Sequence, residues 1–270
     1  MSIRNYSIYI YFLALLAVFP LTATAQKKSK HAVPATTYDV EPDRFVARAM
    51  QDKHGRTIEA VGTSRTSTAK VNMKYKEGID VSRYQGTIDW EQVATEDISY
   101  AYMKATEGAS LVDVTYKRNI REARKHGISV GSYHFYRPNI SIDEQFNNMT
   151  STVLKEEQDL VPLIDIETRG SVSEDQFISD LREFIERVAA HYGKKPLLYT
   201  FHNFYNKHLV GQFPDYHWMI ARYRSDSPTL NDGKDFIMWQ YTASGSVSGI
   251  RGNVDRSRIM GNFQLHHVAF

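Results

Sequence analysis

An apolar run that ends on two acids lies near the middle of the chain: Val161-Pro162-Leu163-Ile164-Asp165-Ile166-Glu167. Such a run predicts a buried strand, because both faces of a strand in a parallel sheet are covered. Residues two apart point to the same side, so we expect the two acids together, with Cα atoms about 6–7 Å apart. Neighbouring like charges raise the pKa of at least one carboxyl, which can then donate a proton. The alternative is a structural pair neutralised by a cation such as Arg169.

Short runs rich in β-branched and aromatic residues recur on both sides of this strand, with amphipathic helical stretches between them. The predicted strands are residues 78–81, 100–105, 129–135, 161–167, 196–200, 218–223, 236–241 and a short one near Val254. Strands that alternate with helices indicate parallel strands joined by helical crossovers. Eight such strands favour a sheet that closes on itself as a barrel.

The helical patterns are strong in the first part of this region and weak in the last. Helices are predicted over residues 116–125 and 174–192, and a third begins after Ser141. Two of them start with a capping-box pattern, Ser141 with Glu144 and Ser173 with Gln176. Beyond Tyr199 the helical signals shrink and short loops join the strands. The predicted fold class is therefore α/β, an irregular TIM-like (β/α) barrel with helices reduced in the C-terminal part.

The N-terminus has the pattern of a secretion signal. Arg4 precedes an apolar run over residues 8–21, and Ala23-Thr24-Ala25 follows as a small-residue cleavage pattern. The run is shorter than the roughly 20 residues of a membrane span, so an uncleaved anchor is the weaker alternative. We therefore expect a signal peptide over 1–25, a polar linker or spacer over 26–76 and a catalytic barrel over 77–270. Such a protein would be secreted or periplasmic, with no membrane attachment after cleavage.

Composition excludes several classes of protein. A formal net charge of +2, without a basic stripe, is too small to predict a nucleic-acid partner. The chain has no cysteine, which excludes a disulfide-stapled fold and a lipid-anchored lipoprotein. Its ten histidines show no zinc spacing, and no nucleotide-binding or serine-hydrolase motif is present. We expect a monomer without a metal or cofactor.

Further acids and aromatic residues end other predicted strands. Asp80 closes the first strand and Asp255 follows Val254, although either one alone would be read as a turn residue. Acids at the ends of several strands are typical of a barrel hydrolase. Aromatic rings at such ends favour a carbohydrate groove, because they stack on sugars. The substrate-binding candidates of this kind are Tyr133, His134, Phe135, Tyr199, Tyr223, Trp239 and Tyr241.

Taken in order, these motifs resemble glycoside hydrolase family 25, the N-acetylmuramidase lysozymes. The segments that carry the resemblance are Gly78-Ile79-Asp80-Val81-Ser82, Tyr84-Gln85-Gly86, Lys104-Ala105-Thr106-Glu107-Gly108, Tyr133-His134-Phe135, Asp165-Ile166-Glu167, Ala221-Arg222-Tyr223, Trp239-Gln240-Tyr241 and Val254-Asp255. The resemblance implies Glu167 as general acid/base, Asp165 as its partner carboxylate, and Asp80 and Asp255 as supporting acids. It also implies retention of anomeric configuration, with the substrate's 2-acetamido group as nucleophile.

The expected function is hydrolysis of the β-1,4 bond between N-acetylmuramic acid and N-acetylglucosamine in the peptidoglycan glycan strand. Glu107 and Arg137 are further substrate-binding candidates, with Arg137 a contact for the anionic lactyl or peptide part. Arg256-Ser257-Arg258 departs from the small or apolar residues usual after the last acid of this family. Two alternatives stay open: a catalytically silent peptidoglycan-binding barrel, and a chitinase-like amino-sugar hydrolase.

Overall fold

The computed structural model describes residues 76–270. The predicted signal peptide, and all of the predicted spacer except residue 76, lie outside the described residues. Within residues 76–270, no helix combines the length and the apolar character that crossing a membrane requires.

Eight strands close into a ring, in which each strand is hydrogen-bonded to its two neighbours. A short ninth strand, β3, pairs with the end of β2 outside the ring. The strands are β1 (Glu77–Val81), β2 (Ile98–Glu107), β3 (Leu111–Val112), β4 (Ser129–Phe135), β5 (Leu163–Asp165), β6 (Leu197–Phe201), β7 (Trp218–Ala221), β8 (Met238–Gly245) and β9 (Val254–Ile259). Around the ring the order is β1, β2, β4, β5, β6, β7, β8 and β9. The predicted irregular α/β barrel is confirmed.

The last strand departs from the predicted all-parallel arrangement. Strands β1 to β8 of the ring run parallel, whereas β9 is antiparallel to both β8 and β1. The connection over residues 246–253 holds no helix, and a parallel return needs a longer crossover, usually a helical one. The amino end of β9 therefore lies beside the carboxyl ends of the other strands.

The central strand is also shorter than predicted, because β5 covers only part of the apolar run 161–167. Pro162 has no N–H to give to a strand ladder, and Val161 instead donates to the backbone oxygen of Val268. Glu167 lies two residues beyond the end of β5.

The helices surround the first part of the ring and become short after β6. They are α1 (Trp90–Val93), α2 (Tyr116–Lys125), α3 (Ile142–Thr152), α4 (Glu174–Tyr192) and α5 (His202–Phe204), with a π turn (Tyr205–Leu209) and 3₁₀ turns (Arg83–Gln85, Lys155–Glu157, Leu265–Val268). The bounds of α2 and α4 agree with the prediction. One face of α4 is fully buried against the sheet, namely Phe177, Leu181, Phe184, Ile185 and Val188.

Both predicted capping boxes are single caps in the structure. Ser173 accepts a bond from the backbone N–H of Gln176 at 3.2 Å, and Ser141 accepts one from that of Glu144 at 3.4 Å. The reciprocal bond is absent from α4, where the Gln176 amide nitrogen donates to Asp180 one turn later, at 2.7 Å. Each helix start keeps one of the two bonds that the sequence pattern predicts.

Large side chains fill the ring near the amino ends of its parallel strands, and a pocket opens at their carboxyl ends. Tyr100 and Tyr102 are fully buried inside the ring. Their rings fit because the neighbouring strands carry glycine: a Cβ on Gly78 would lie 2.1 Å from the Tyr100 ring, and one on Gly131 would lie 2.3 Å from that of Tyr102. The barrel is thus a packed core with one open end.

Candidate active site

One pocket of about 210 Å³ opens at the carboxyl ends of the parallel strands. Its lining comes from six parallel strands and their following loops, and from the amino end of β9. The lining residues are Asp80, Val81, Ser82, Tyr84, Gln85, Lys104, Tyr133, Phe135, Leu163, Asp165, Glu167, Tyr199, Gln240 and Asp255. All four acids that the sequence singled out line this pocket.

The four acids form two pairs on opposite walls. Asp165 and Glu167 lie at the end of β5. Asp80 and Asp255 are direct partners in the antiparallel register of β1 and β9. In the ring, β9 is four strands away from β5 in either direction, so the two pairs lie across the pocket from each other. The antiparallel direction of β9 is what brings Asp255 to this end.

Burial raises the pKa of every one of these carboxyls, because a low-dielectric environment disfavours the charged form. The pKa of Asp80 rises to about 7, with Gln240 opposing the rise and the Asp255 charge adding to it. Burial alone raises the pKa of Asp255 to about 6. On the other wall burial, with the Asp255 charge as second cause, raises the pKa of Glu167 to about 7.

Asp165 and Glu167 behave as an interacting pair. Burial, followed by the charge of Glu167, raises the pKa of Asp165 well above its usual range. The Lys104 ammonium, which lines the same pocket, acts against the rise at both carboxyls. Asp165 is 7% exposed, and its Oδ1 has no hydrogen-bond partner among residues 76–270. Burial and mutual repulsion thus make both carboxyls of the pair easier to protonate than they are in water.

Gln240 connects the two sides of the pocket. Its side-chain oxygen accepts hydrogen bonds from the hydroxyls of Tyr199 and Tyr223, both at 2.9 Å. Its Nε2 donates to Asp80 Oδ2, also at 2.9 Å. An ionised Asp80 carboxylate can only accept, so it requires the nitrogen end of the Gln240 amide on its side.

The structure brings some of the predicted aromatic residues to the pocket. Tyr133, Phe135 and Tyr199 line it, and the half-exposed Tyr223 reaches its edge through the bond to Gln240. Tyr84, which is not among the predicted binding residues, also lines the pocket and is 78% exposed.

Three of the predicted strand-end residues, His134, Trp239 and Tyr241, lie on the side of their strands that faces away from the pocket. His134 is fully buried, with Nδ1 2.8 Å from Thr106 Oγ1 and its ring against Phe184, and burial lowers its pKa to about 4. Strand alternation explains this placement, because the neighbours of an inward residue point outward. Trp239 and Tyr241 flank the inward Gln240 in the same way.

Trp239 and Tyr241 belong to a cluster on the outside of the barrel. The Trp239 indole donates to the backbone oxygen of Arg222 at 2.9 Å, and Tyr241 donates to the Glu77 carboxylate. The Arg258 guanidinium lies over the Tyr241 ring, 4.1 Å from its centroid. Their contacts in the structure are therefore with the barrel wall.

Comparison with known proteins identifies the family. The model of the family described as "Glycosyl hydrolases family 25" matches residues 79–250. The chain belongs to glycoside hydrolase family 25. It is 37% identical to the YegX protein of Escherichia coli K12, over 66% of this chain and 67% of that protein. It is 31% identical to lysozyme M1 of Streptomyces globisporus, over 69% of this chain and 68% of that protein.

A solved structure agrees with this assignment. The family 25 glycosyl hydrolase from Bacillus anthracis superposes with a TM-score of 0.64 at 30% identity, covering 69% of this chain and 89% of that one. The protein is therefore a glycoside hydrolase, and its residues 76–270 hold no group of three or more histidine or acidic side chains arranged for a metal ion.

Glu107 and Arg137 lie beside the pocket of this family 25 hydrolase, in a second cavity. One oxygen of the Glu107 carboxylate accepts a hydrogen bond from Lys104 Nζ at 2.6 Å, and the other oxygen accepts from the Arg137 guanidinium. Both cations lie over the ring of Phe135, 5.1 and 4.5 Å from its centroid.

Several polar residues of the pocket are absent from the predicted site, and Lys104 and Gln240 are two of them. Each lies within a motif quoted above, but only the neighbouring acid or aromatic residues were predicted to belong to the site. Gln240 could have been found from the two-residue period of β8, because Met238 is buried inside the ring and the next inward position is Gln240.

Proposed function

We propose that this family 25 hydrolase is a lysozyme that cleaves the β-1,4 bond between N-acetylmuramic acid and N-acetylglucosamine in peptidoglycan. The observation that carries the proposal is the convergence of four acids with raised pKa values on one aromatic-walled pocket. The names of relatives support the substrate, since lysozyme M1 is 31% identical and the autolytic lysozyme of Clostridium acetobutylicum is 33% identical.

In this proposal Glu167 is the general acid and later the general base. A glycosidic oxygen is a poor leaving group unless it is protonated, and the acid must hold its proton at the working pH. The pKa of about 7 meets that requirement at and below neutral pH. After the leaving sugar departs, the Glu167 carboxylate takes a proton from the water that attacks the anomeric carbon.

Asp165 has the complementary role. Asp165 lines the pocket, and its buried Oδ1 has no partner within the described residues, so the 2-acetamido N–H of a bound substrate is the donor we assign to it. A bond from that N–H would orient the acetamido oxygen toward the anomeric carbon, and the charge of Asp165 would stabilise the cyclic cation that forms. The Lys104 ammonium favours the ionised form of Asp165, because it acts against the rise of the Asp165 pKa that burial and the Glu167 charge cause.

Asp80 and Asp255 act from the opposite wall as supporting acids. Gln240 holds Asp80 by one oxygen, which leaves the other available to a sugar hydroxyl or to water. We assign Tyr133, Phe135 and Tyr199 to the walls that contact sugar rings, since aromatic faces stack on pyranosides.

The substrate also suggests where the protein works. A cell-wall polymer lies outside the cytoplasm, so the proposed function agrees with cleavage after Ala25 and with a secreted or periplasmic enzyme. We propose that residues 77–270 form the catalytic unit, that residues 26–76 are a spacer, and that the enzyme works as a monomer without a nucleic-acid partner.

The decisive experiment incubates the purified protein with peptidoglycan and identifies the new reducing ends by mass spectrometry. New reducing ends on muramic acid support the proposal. Reducing ends on glucosamine would indicate an amino-sugar hydrolase of another specificity. Binding without any new ends would indicate a catalytically silent barrel, and the Glu167→Gln variant supplies the matched inactive control.

A further inference from the structure

A second cavity of about 450 Å³ lies beside the carboxylate pocket, outside the set of residues that the proposed mechanism uses. Its walls come from the loop after β2, the loop after β4 and the segment that follows Glu167. Side chains of Glu107, Leu111, Arg137, Ile140 and Thr168 face it, with the backbone of Gly170. The cavity therefore begins one residue beyond the proposed general acid.

The walls of this cavity are held in place by specific contacts. Asn139 bridges two of the loops, since its Nδ2 donates to Ser171 Oγ at 2.7 Å and its Oδ1 accepts from the Ser171 N–H at 3.2 Å. Gly170 has a φ of +62° and lies so near that a Cβ there would meet Asn139 Oδ1 at 1.9 Å. The buried Asn148 fixes the third loop by donating to Gly108 O at 2.8 Å. The cavity is thus preformed.

A row of charges joins the cavity to the pocket. Lys104 lies in the pocket, Arg137 lies in the cavity, and Glu107 between them binds both. Two cations with one carboxylate leave this row with one excess positive charge. Arg137 uses Nε and one terminal nitrogen for Glu107, and within residues 76–270 its Nη1 makes no hydrogen bond. Its side chain is 44% exposed, so a ligand can reach it.

The two spaces differ in the chemistry of their walls. The pocket has aromatic side chains suited to sugar rings, whereas no aromatic residue of the described chain lines the cavity. The cavity offers backbone groups, small and aliphatic side chains, and a guanidinium. A guanidinium binds carboxylates through paired hydrogen bonds, and it binds neutral hydroxyls less strongly.

We propose that this cavity binds the acidic stem peptide carried by the muramic sugar, with Arg137 pairing to a carboxylate of that peptide. The inference rests on the proposed function, because only a muramic residue in the adjacent pocket would carry such a peptide. Arg137 is then a specificity residue: it favours glycan strands that bear stems over bare strands or chitin-like oligomers. The small wall residues Gly108, Ala109 and Gly170 leave room for a peptide backbone.

The test compares two soluble glycan strands, one with stem peptides and one from which an amidase has removed them. The readout is the ratio of kcat/KM on the two substrates, which cancels any general damage to the enzyme. We expect wild type to prefer the stem-bearing strand, and Arg137→Ala to lower the ratio by about tenfold or more. Ser110→Trp, which fills the cavity from an exposed position, should lower the ratio as well.

Arg121→Ala is the matched control, since Arg121 is an exposed arginine on α2 paired with Glu122, and it should leave the ratio unchanged. A wild-type ratio near one would overturn the inference while leaving the lysozyme proposal intact. An unchanged ratio in both Arg137→Ala and Ser110→Trp would overturn it too. Failure of the wild-type protein to cut either strand would instead contradict the proposed function.

Discussion

Gln240 donates a 2.9 Å hydrogen bond to Asp80 while its side-chain oxygen accepts from the hydroxyls of Tyr199 and Tyr223. Asp80 is 9% exposed, and an ionised carboxylate so buried is costly unless it is hydrogen-bonded. Gln240 lowers that cost, since its bond acts against the rise of the Asp80 pKa that burial causes. The proposed supporting acid therefore depends on a neutral residue from another strand.

Gln240→Glu should impair the enzyme without a large change of side-chain volume. The new carboxylate still accepts from Tyr199 and Tyr223, but it replaces the donor to Asp80 with a like charge or a shared proton. We expect kcat/KM to fall by about tenfold or more, measured as a pH–rate profile. The exposed Gln176→Glu is the matched control. A Gln240→Glu profile that superposes on wild type would show that this bond has no part in activity.

Glu167→Gln should remove nearly all turnover while the fold and substrate binding persist. The amide keeps the shape of the side chain but has no proton to donate, and general acid catalysis contributes about a hundredfold or more. The measurement is turnover of peptidoglycan together with the thermal midpoint. Glu156→Gln, at an exposed position, should have wild-type activity. Activity of Glu167→Gln within a few-fold of wild type would refute its role as the acid.

Asp255→Asn should stabilise the protein at pH 8 more than at pH 4. Burial raises the folded-state pKa of Asp255 from 3.8 to about 6, so the folded protein binds more protons than the unfolded chain between these values. The protonated Asp255 therefore contributes to the free energy of unfolding below about pH 4, and this contribution is lost as the pH rises through about 6. We expect a gain on the order of 2 kcal/mol at pH 8, smaller than the full shift implies because solvent screens part of the charge.

The gain is measured by urea unfolding at both pH values. Asp235→Asn, at an exposed position, should show no such pH-dependent difference. Equal effects of Asp255→Asn at pH 4 and pH 8 would contradict the raised pKa.

The sequence was sufficient to predict the barrel and to select four acids that line one pocket. Strong local patterns explain this success: α4 has the predicted bounds because its apolar face and its cap at Ser173 agree. The acids could be found because each lies near the carboxyl end of a parallel strand or near the start of β9, and in a barrel such ends meet.

The remaining details depend on strand direction and on which side of a strand each residue faces, and local sequence patterns do not determine these. The direction of β9 follows from a short connection, and only that direction puts Asp255 at the pocket. His134 and Tyr133 are adjacent in sequence but lie on opposite sides of β4, because the strand alternates. About half of the residues of an aromatic motif at a strand end therefore face the site. The register of the strand is needed to identify which residues these are.

Removal of residues 1–70 should leave a soluble protein that cleaves peptidoglycan. The strand that carries Asp80 begins at Glu77, and the sequence before it has little core-forming pattern. The comparison is between this form and one that starts at Gln26, with specific activity and thermal midpoint as the two measurements. An insoluble or inactive short form, beside an active long form, would show that the proposed domain boundary is wrong.

The final prediction concerns the nucleophile. From the sequence, Asp165 and Glu167 share one side of the substrate, so the attacking group comes from the 2-acetamido group unless another acid lies opposite. Asp80 and Asp255 do lie on the opposite wall, which makes a protein nucleophile or a water activated there the competing mechanisms. We predict retained configuration and a strict need for the acetamido group, because Asp165 Oδ1 is left without a partner within residues 76–270 while Gln240 already binds Asp80.

Proton NMR of the first products gives the anomer, and a substrate without its acetamido group tests the requirement. Asp165→Asn should reduce kcat by about a hundredfold or more, because the amide cannot stabilise the cationic ring that forms from the acetamido group. Asp255→Asn should have a smaller effect than Asp165→Asn, since its role is supporting. An inverted product would indicate water activated from the β1–β9 wall. Retention with undiminished cleavage of the substrate lacking the acetamido group would indicate a covalent ester on a protein carboxylate, and in that case Asp255→Asn or Asp80→Asn should abolish turnover.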